Sequence, residues 1–403
     1  MKIVVLKFGG TSVGSIDRIK KVVKIISAYK KKRYNVVVVS SAMSGYTNDL
    51  IKKSEKIAEN FKKIEYDTLV SAGEQISCSL IAGRLNHIGY VSKSMMGWQI
   101  PICTDDNYSN AKIISINTLK IKAYLKQGGI PVIAGFQGVN KYGRITTLGR
   151  GGSDYSAIAL AKYLKANKCI IYTDVIGVMT TDPKIHKKAK KIRIISYEEM
   201  LEMSSLGSKV MQSNSVQDAR LNRIDVNVRS SFVKNSGTLI TKRKNIKNNK
   251  IITGISATKK DAKVTIVGVK DKPGIAASIF KPLSINNINV DMVVQNISAN
   301  GLKTDITFTI NSNDLNKTHK LIKNNKKIVY EKLIFDDNVS KVSIIGVGMI
   351  STPGVTYRMF QALSKKNINI LVISTSEIKI SVLINRKNIN KAVETLHKEF
   401  KLD

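Results

Sequence analysis

The chain has 403 residues, 43% of them hydrophobic, and a formal charge of +37; that length suffices for two or three domains with their own cores. No apolar run approaches the ~20 residues that cross a bilayer, the start carries no basic leader ahead of its apolar stretch, and Cys78, Cys103 and Cys169 have neither metal nor redox spacing, so a soluble, cytoplasmic protein is expected. The lysines are spread along the whole chain beside abundant isoleucine and asparagine, and basic runs such as 30–33, 187–191 and 323–327 are not interleaved with aromatics, so the charge is read as compositional, with no specific nucleic-acid partner and no membrane partner.

A first strand over 3–6 leads into Lys7-Phe8-Gly9-Gly10-Thr11-Ser12. Glycines let the backbone approach a phosphate and point N–H groups at it, and a strand-end lysine adds a point charge for a phosphoryl group in transfer. No Gly-Lys-Ser/Thr follows, so this is not a Walker A loop, and alone the turn is equally an ordinary strand–helix connection. A helix over 16–30, a strand over 36–40, helices over 73–85 and 115–126 and a strand over 130–134 come next. Thr147-Leu148-Gly149-Arg150-Gly151-Gly152-Ser153-Asp154 then opens a helix over 155–165. Its glycines make an anion-friendly helix entrance and Arg150 offers a fork for a carboxylate, whereas Asp154 would serve equally as a cap. A strand over 169–172 precedes the hydroxyl- and carboxylate-rich loop 173–184, and a helix over 197–206 and a strand over 225–229 follow. Apolar strands alternating with helices predict an α/β parallel sheet covered on both faces, with ligands at the strands' carboxyl ends.

Beyond a polar linker at 243–250 the chain repeats itself. Lys263-Val264-Thr265-Ile266-Val267-Gly268-Val269 returns as Lys341-Val342-Ser343-Ile344-Ile345-Gly346-Val347, Lys272-Pro273-Gly274 as Thr352-Pro353-Gly354, and Asn287-Ile288-Asn289 as Asn367-Ile368-Asn369. A tandem of βαββαβ units of ferredoxin-like type is expected, with domains at 1–242, 251–337 and 338–403.

Taken together, Lys7 to Ser12, Ser71-Ala72-Gly73-Glu74, Gly135-Phe136-Gln137-Gly138, Thr147 to Asp154, Thr173-Asp174-Val175 with Thr181-Asp182-Pro183, and Gly207-Ser208-Lys209-Val210 resemble the aspartate kinase family of the amino-acid kinase superfamily. The resemblance covers essentially the whole chain, the duplication looking like that family's paired ACT domains. It implies an enzyme that phosphorylates the aspartate side chain with ATP and Mg²⁺, on the route to lysine, threonine and methionine. Lys7, Asp154 and Lys209 would be catalytic, and Thr47, Glu74, Arg150 and Ser153 would hold aspartate. Lys7, Phe8, Gly9, Gly10, Ser41, Thr173, Asp174, Met179, Lys184 and Lys209 would hold ATP. At Met179 and Lys184 the family usually has tyrosine and arginine, which implies weaker base packing and one weaker phosphate contact.

The resemblance further implies effector sites for lysine, threonine or both at Asp271, Lys272, Pro273, Gly274, Ile275, Ala276, Asn289, Val290, Asp291 and Gln295. The second copy matches at Val355, Thr356, Asn369, Ile370, Ser376 and Glu377. A homo-oligomer built through the ACT domains is expected, with one subunit type, because no methionine lies between Met211 and Met292. A carboxylate acceptor needs no general base. His87, His186, His319 and His397 are read as surface or packing residues, and no dedicated protein metal site is expected. Two alternatives remain: a kinase of the same superfamily acting on acetylglutamate or UMP, and an amino-acid sensor with a dead kinase domain.

Overall fold

Valine and isoleucine runs with no polar face become central strands, since only a strand covered on both sides can bury every residue. Such runs organise the larger part of the computed structural model, which describes residues 2–206, 210–246, 250–297, 303–325 and 327–403. The chain forms two units, Met1–Val178 with Lys191–Asn248 and Met179–Lys190 with Asn249–Asp403. Among the described residues no helix is long and apolar enough to cross a membrane.

The first unit begins with β1 (Ile3–Phe8), α1 (Ile16–Lys31), β2 (Asn35–Ser40), α2 (Tyr46–Ile57), α3 (Lys63–His87) and β3 (Ser92–Met95). It continues with β4 (Ile102–Thr104), β5 (Ile113–Ile116), α4 (Leu119–Lys126), β6 (Ile130–Ala134), β7 (Gln137–Val139), β8 (Ile145–Thr147) and α5 (Gly152–Tyr163). It ends with β9 (Lys168–Thr173), β10 (Ile194–Ser196), α6 (Tyr197–Ser205), α7 (Ser213–Asn222), β11 (Val226–Ser230) and β12 (Thr238–Thr241).

The main sheet runs β10-β12-β11-β9-β1-β2-β6-β3, parallel from β3 through β11 and antiparallel between β11 and β12. Every residue of β1 is buried, as its central place requires. Phe8 pairs with Ser40 and Tyr172, and Ser40 with Ala134, so the turns after β1, β2, β6 and β9 lie side by side at one sheet edge. A smaller sheet, β5-β4-β7-β8, adds the loops that flank that edge.

Helix α1 starts where the Ser15 hydroxyl accepts the Arg18 N–H and buries Ile19, Val22, Val23 and Ile26, an i, i+3, i+4, i+7 stripe. Helix α6 opens on a capping box between Ser196 and Glu199. The helix predicted over 115–126 is instead β5 followed by α4, since Ile113-Ile114-Ser115-Ile116 is β-branched and the Asn117 side chain caps Leu119 N–H at 3.0 Å.

The second unit contains β13 (Gly254–Thr258), β14 (Asp261–Lys270), α8 (Ile275–Ile285), β15 (Val290–Ile297), β16 (Lys303–Asn311), α9 (Leu315–Lys323) and β17 (Lys332–Asp336). After these come β18 (Val339–Ile345), α10 (Val355–Ser364), β19 (Ile370–Thr375), β20 (Lys379–Asn385) and α11 (Ile389–Glu399). The two antiparallel sheets, β15-β16-β14-β17 and β13-β18-β20-β19, are the same arrangement twice, each with its own helix-covered core.

Two expectations on boundaries change. Residues 254–258, assigned to the first repeat, pair with β18 of the second. They take the position beside β18 that β17 takes beside β14, because no described strand follows α11. Residues 179–190, assigned to the first domain, pack with the second unit. The linker begins as a single 3-10 turn, Arg243–Asn245, and its residues 247–249 lie outside those described.

Candidate active site

Close backbone approach builds the site at the strand ends. A Cβ on Gly10 would sit 2.8 Å from Ala42 O, and one on Gly73 would sit 2.7 Å from Ala42 Cβ, so only glycines let the β1 turn and α3 close on the β2 turn. Backbone bonds lace these turns together: Gly9 N–H donates to Tyr172 O at 3.0 Å, Ser41 N–H to Phe8 O at 3.1 Å and Ser44 N–H to Gly10 O at 3.2 Å.

A cleft of about 700 Å³ opens beside them, lined by Lys7, Gly10, Ser41, Thr47, Glu74, Arg150, Ser153 and Asp154 among others. Lys7 Nζ, nearly buried, lies 2.7 Å from Asp154 Oδ1. The contact is an ion pair without aligned hydrogen-bond geometry. Asp154 stands in the first turn of α5, where a negative charge is favoured, so the sequence's open choice between cap and partner resolves to partner. Gly151 enters that helix at φ 78°, a left-handed conformation suited to glycine.

Glu74 is 3% exposed. Its Oε1 accepts the Ala42 N–H at 3.0 Å, while Oε2 has no partner. Burial pushes this carboxyl up to about 8, against the pull of the Ala42 N–H, its own backbone N–H and Lys7. Arg150 is exposed on the β8–α5 loop. The cleft therefore holds a fixed ammonium, a free guanidinium and a buried acid still owed a partner, a set that suits a zwitterionic ligand with an additional anionic group.

Other predicted residues lie elsewhere. The Phe8 ring is fully buried, stacked on Tyr172 at 5.0 Å, so Phe8 can face a ligand only through its backbone. Thr173 and Asp174, at the end of β9, do not line the cleft; the Thr173 hydroxyl donates to Asp174 Oδ1 at 3.1 Å. Met179 and Lys184 belong to the second unit, and Lys209 lies outside the described residues.

Asp67 escaped the sequence reading. Fully buried on α3, it accepts four hydrogen bonds of 2.7–3.0 Å, from the N–H and hydroxyl of Ser109 and of Thr147. Ser109 and Thr147 line the cleft, so this carboxylate fixes two of its walls. The usable signal was helical spacing: Asp67 lies seven residues before Glu74, on the same face of α3. Ser231 was also missed; its hydroxyl lies 2.8 Å from that of Ser12 and 3.2 Å from Thr173 O, tying the glycine turn to the end of β9.

In the second unit, 271–276 lie at the start of α8, at the end of the sheet where Lys270 pairs with Lys303, and Gln295 pairs with Ile306 within the sheet, whereas Asn289, Val290 and Asp291 lie at the opposite end, where Val290 pairs with Ile310. The second copy splits the same way: Val355, Thr356, Ser376 and Glu377 at one end, Asn369 and Ile370 at the other. One copy alone does not gather its predicted effector residues. Asp291 instead pairs with the buried ammonium of Lys341, which also contacts Asp261 at 3.3 Å.

Comparison with known proteins matches residues 2–230 to the amino acid kinase family and residues 264–325 and 342–400 to the ACT domain. The chain is 46% identical over 405 residues to an aspartate kinase of Pseudomonas putida, covering 100% of this chain and 98% of that one. It is 47% identical to an aspartokinase of Helicobacter pylori, with both chains covered in full. Escherichia coli aspartokinase III in complex with aspartate and ADP superposes with a TM-score of 0.80 at 25% identity over 99% of each chain. The same enzyme in complex with lysine and aspartate also gives 0.80 at 25% identity, covering 99% of this chain and all of that one.

Proposed function

Because the chain belongs to the aspartate kinase family, with an amino acid kinase unit followed by ACT domains, we propose that it transfers the γ-phosphoryl group of ATP to the side-chain carboxylate of aspartate, yielding 4-phospho-L-aspartate. The observation that carries this reading is the pairing of Lys7 with Asp154 in the same cleft as the partnerless Glu74 oxygen and the Arg150 guanidinium. Glu74 takes the substrate ammonium, Arg150 with Thr47 and Ser153 takes a carboxylate, and Asp154 holds the Lys7 ammonium towards the transferring phosphoryl group. The attacking oxygen is ionised at neutral pH, so the residues position and neutralise rather than abstract a proton. Mg²⁺ enters this scheme as part of Mg-ATP, held chiefly by phosphate oxygens. Lys209 supplies a further nucleotide contact in this reading. The product feeds lysine, threonine and methionine synthesis, and the enzyme works in the cytoplasm as a homo-oligomer. The reading is tested by aspartate-dependent release of ADP from Mg-ATP, with glutamate giving little.

Glu74 gives this scheme a pH signature. Burial pushes its carboxyl up to about 8, and an incoming ammonium needs the ionised form. Aspartate affinity should therefore rise with pH, by up to about tenfold per unit, and level off near pH 8. Calorimetric titration between about pH 6.5 and 8.5 reads this directly, and Glu74→Gln should bind weakly with a flat profile. A flat profile in the unaltered protein would remove Glu74 from the ammonium site.

Regulation follows the same family logic: lysine, threonine or both inhibit by binding one conformational state better than another. Since each copy splits its effector residues between two ends of its sheet, a complete pocket needs a second ACT copy, as a homo-oligomer provides. Asp291 is a poor probe because it partners a buried lysine. Asp271 is exposed, so Asp271→Ala should raise the inhibiting concentration severalfold with uninhibited turnover intact. Inhibition curves for lysine and threonine, singly and together, test this; unchanged curves would exclude Asp271 from the pocket.

A further inference from the structure

We propose that His186, His397 and Asp403 form a binding site for one divalent transition-metal ion of the zinc type, which staples the 179–190 segment to the end of α11 within the second unit. His186 Nε2 lies 2.9 Å and His397 Nδ1 2.6 Å from the same oxygen, Asp403 Oδ1. The candidate ligand atoms all lie within 4.8 Å of one another, and the two rings are 4.4 Å apart.

Local backbone holds each donor. His186 N–H closes a turn onto Asp182 O at 3.0 Å, next to the break that Pro183 imposes. Leu402 N–H returns to His397 O at 2.9 Å through Lys401 at φ 53°, with Leu402 buried, which folds Asp403 back over the last turn of α11. His186 and His397 are 8% and 0% exposed, whereas the Asp403 side chain is about one-third exposed, at 34%. An ion here would have two fixed imidazoles, one adjustable carboxylate and a side open to water.

The surroundings suit a metal-bound imidazole. His397 Nε2 lies 2.9 Å from Thr180 Oγ1, which also accepts the Lys190 N–H at 2.9 Å. Nδ1–H donates to Asp403 while no ion is bound; an ion that displaces this proton leaves Nε2–H to donate to Thr180, the second-shell arrangement that fixes a ligating tautomer. Zinc bonds of about 2.0–2.2 Å put tetrahedral ligands about 3.3 Å apart. Asp403 Oδ1 reaches that spacing by withdrawing less than about 1 Å, which its one-third exposed side chain permits, and the two ring nitrogens, within 4.8 Å of each other, close to the same spacing around the ion. Two nitrogen donors favour zinc and its neighbours over Mg²⁺.

The full-length protein, stripped with a chelator, should take up one equivalent of Zn²⁺ in competition with a chromophoric chelator, undisturbed by millimolar Mg²⁺. Asp403→Asn and His186→Gln should each weaken uptake at least tenfold, and the Zn²⁺-induced rise in Tm should vanish in both. If His186→Gln fails to fold, the more exposed Asp403→Asn decides alone. Absence of a saturable equivalent would overturn the site, leaving Asp403 as a hydrogen-bonded partner of the two histidines. Equal uptake by Asp403→Asn would overturn it too, placing the ion on other side chains.

Discussion

Lys7→Ala is expected to lower kcat by on the order of 10²-fold or more while changing the KM for aspartate only severalfold. Lys7 is nearly buried on the central strand and held by Asp154, so its charge is in place before the reaction and reorganises little during it. That is the condition under which an ammonium stabilises a transition state more than a ground state. The side chains proposed to hold the amino acid, Glu74, Arg150, Thr47 and Ser153, are separate from Lys7, so substrate binding should survive. Lys7→Met, which keeps the aliphatic volume, should be equally slow, separating lost charge from lost packing. Near-normal turnover in either variant would remove Lys7 from the mechanism.

Asp67→Ala should be the most damaging change outside the reacting groups. It strands the Ser109 and Thr147 N–H groups beside a new cavity, and each unsatisfied buried donor costs about 1–3 kcal/mol. A loss of about 3 kcal/mol or more is therefore expected in denaturant unfolding, provided the transition is two-state. Because Ser109 and Thr147 line the cleft, the KM for aspartate should also rise, by on the order of tenfold, under conditions where the variant stays folded. Asp67→Asn retains one acceptor oxygen for the two hydroxyls and should fall between the two. Unchanged stability with Asp67→Ala would mean that other groups hold these loops.

The parallel-sheet strands were legible because each is an apolar run bounded by glycine or polar turns. Ile130–Ala134 matches its predicted span, and β1, β2, β9 and β11 differ by one or two residues at their ends. The duplication was legible for the same reason, its turns being copied with its strands. Pairing partners were not. Gly254–Thr258 could complete either ferredoxin-like sheet by composition, and its place beside β18 depends on which edge lacks a strand. The short β4, β5, β7 and β8 are too brief to show a period, and α2 and α7 carry too few buried residues to show a stripe.

At the site, Lys7 meets Asp154 and Glu74 is buried, all three residues that the sequence singled out through its resemblance to a family. Support from distant residues did not show. Asp67 reaches across 42 and 80 positions to Ser109 and Thr147, and His186 meets Asp403 across 217. Asp291 was read for its motif, yet it meets Lys341 of the other repeat, a pairing set by the packing of two copies.

The central claim is that the acceptor is the aspartate side-chain carboxylate, and the most direct measurement is the product itself. With Mg-ATP, aspartate and hydroxylamine, the purified protein should form the hydroxamate of an acyl phosphate in step with ADP, and glutamate should yield little. ADP release without hydroxamate, or equal trapping with glutamate, would contradict the account.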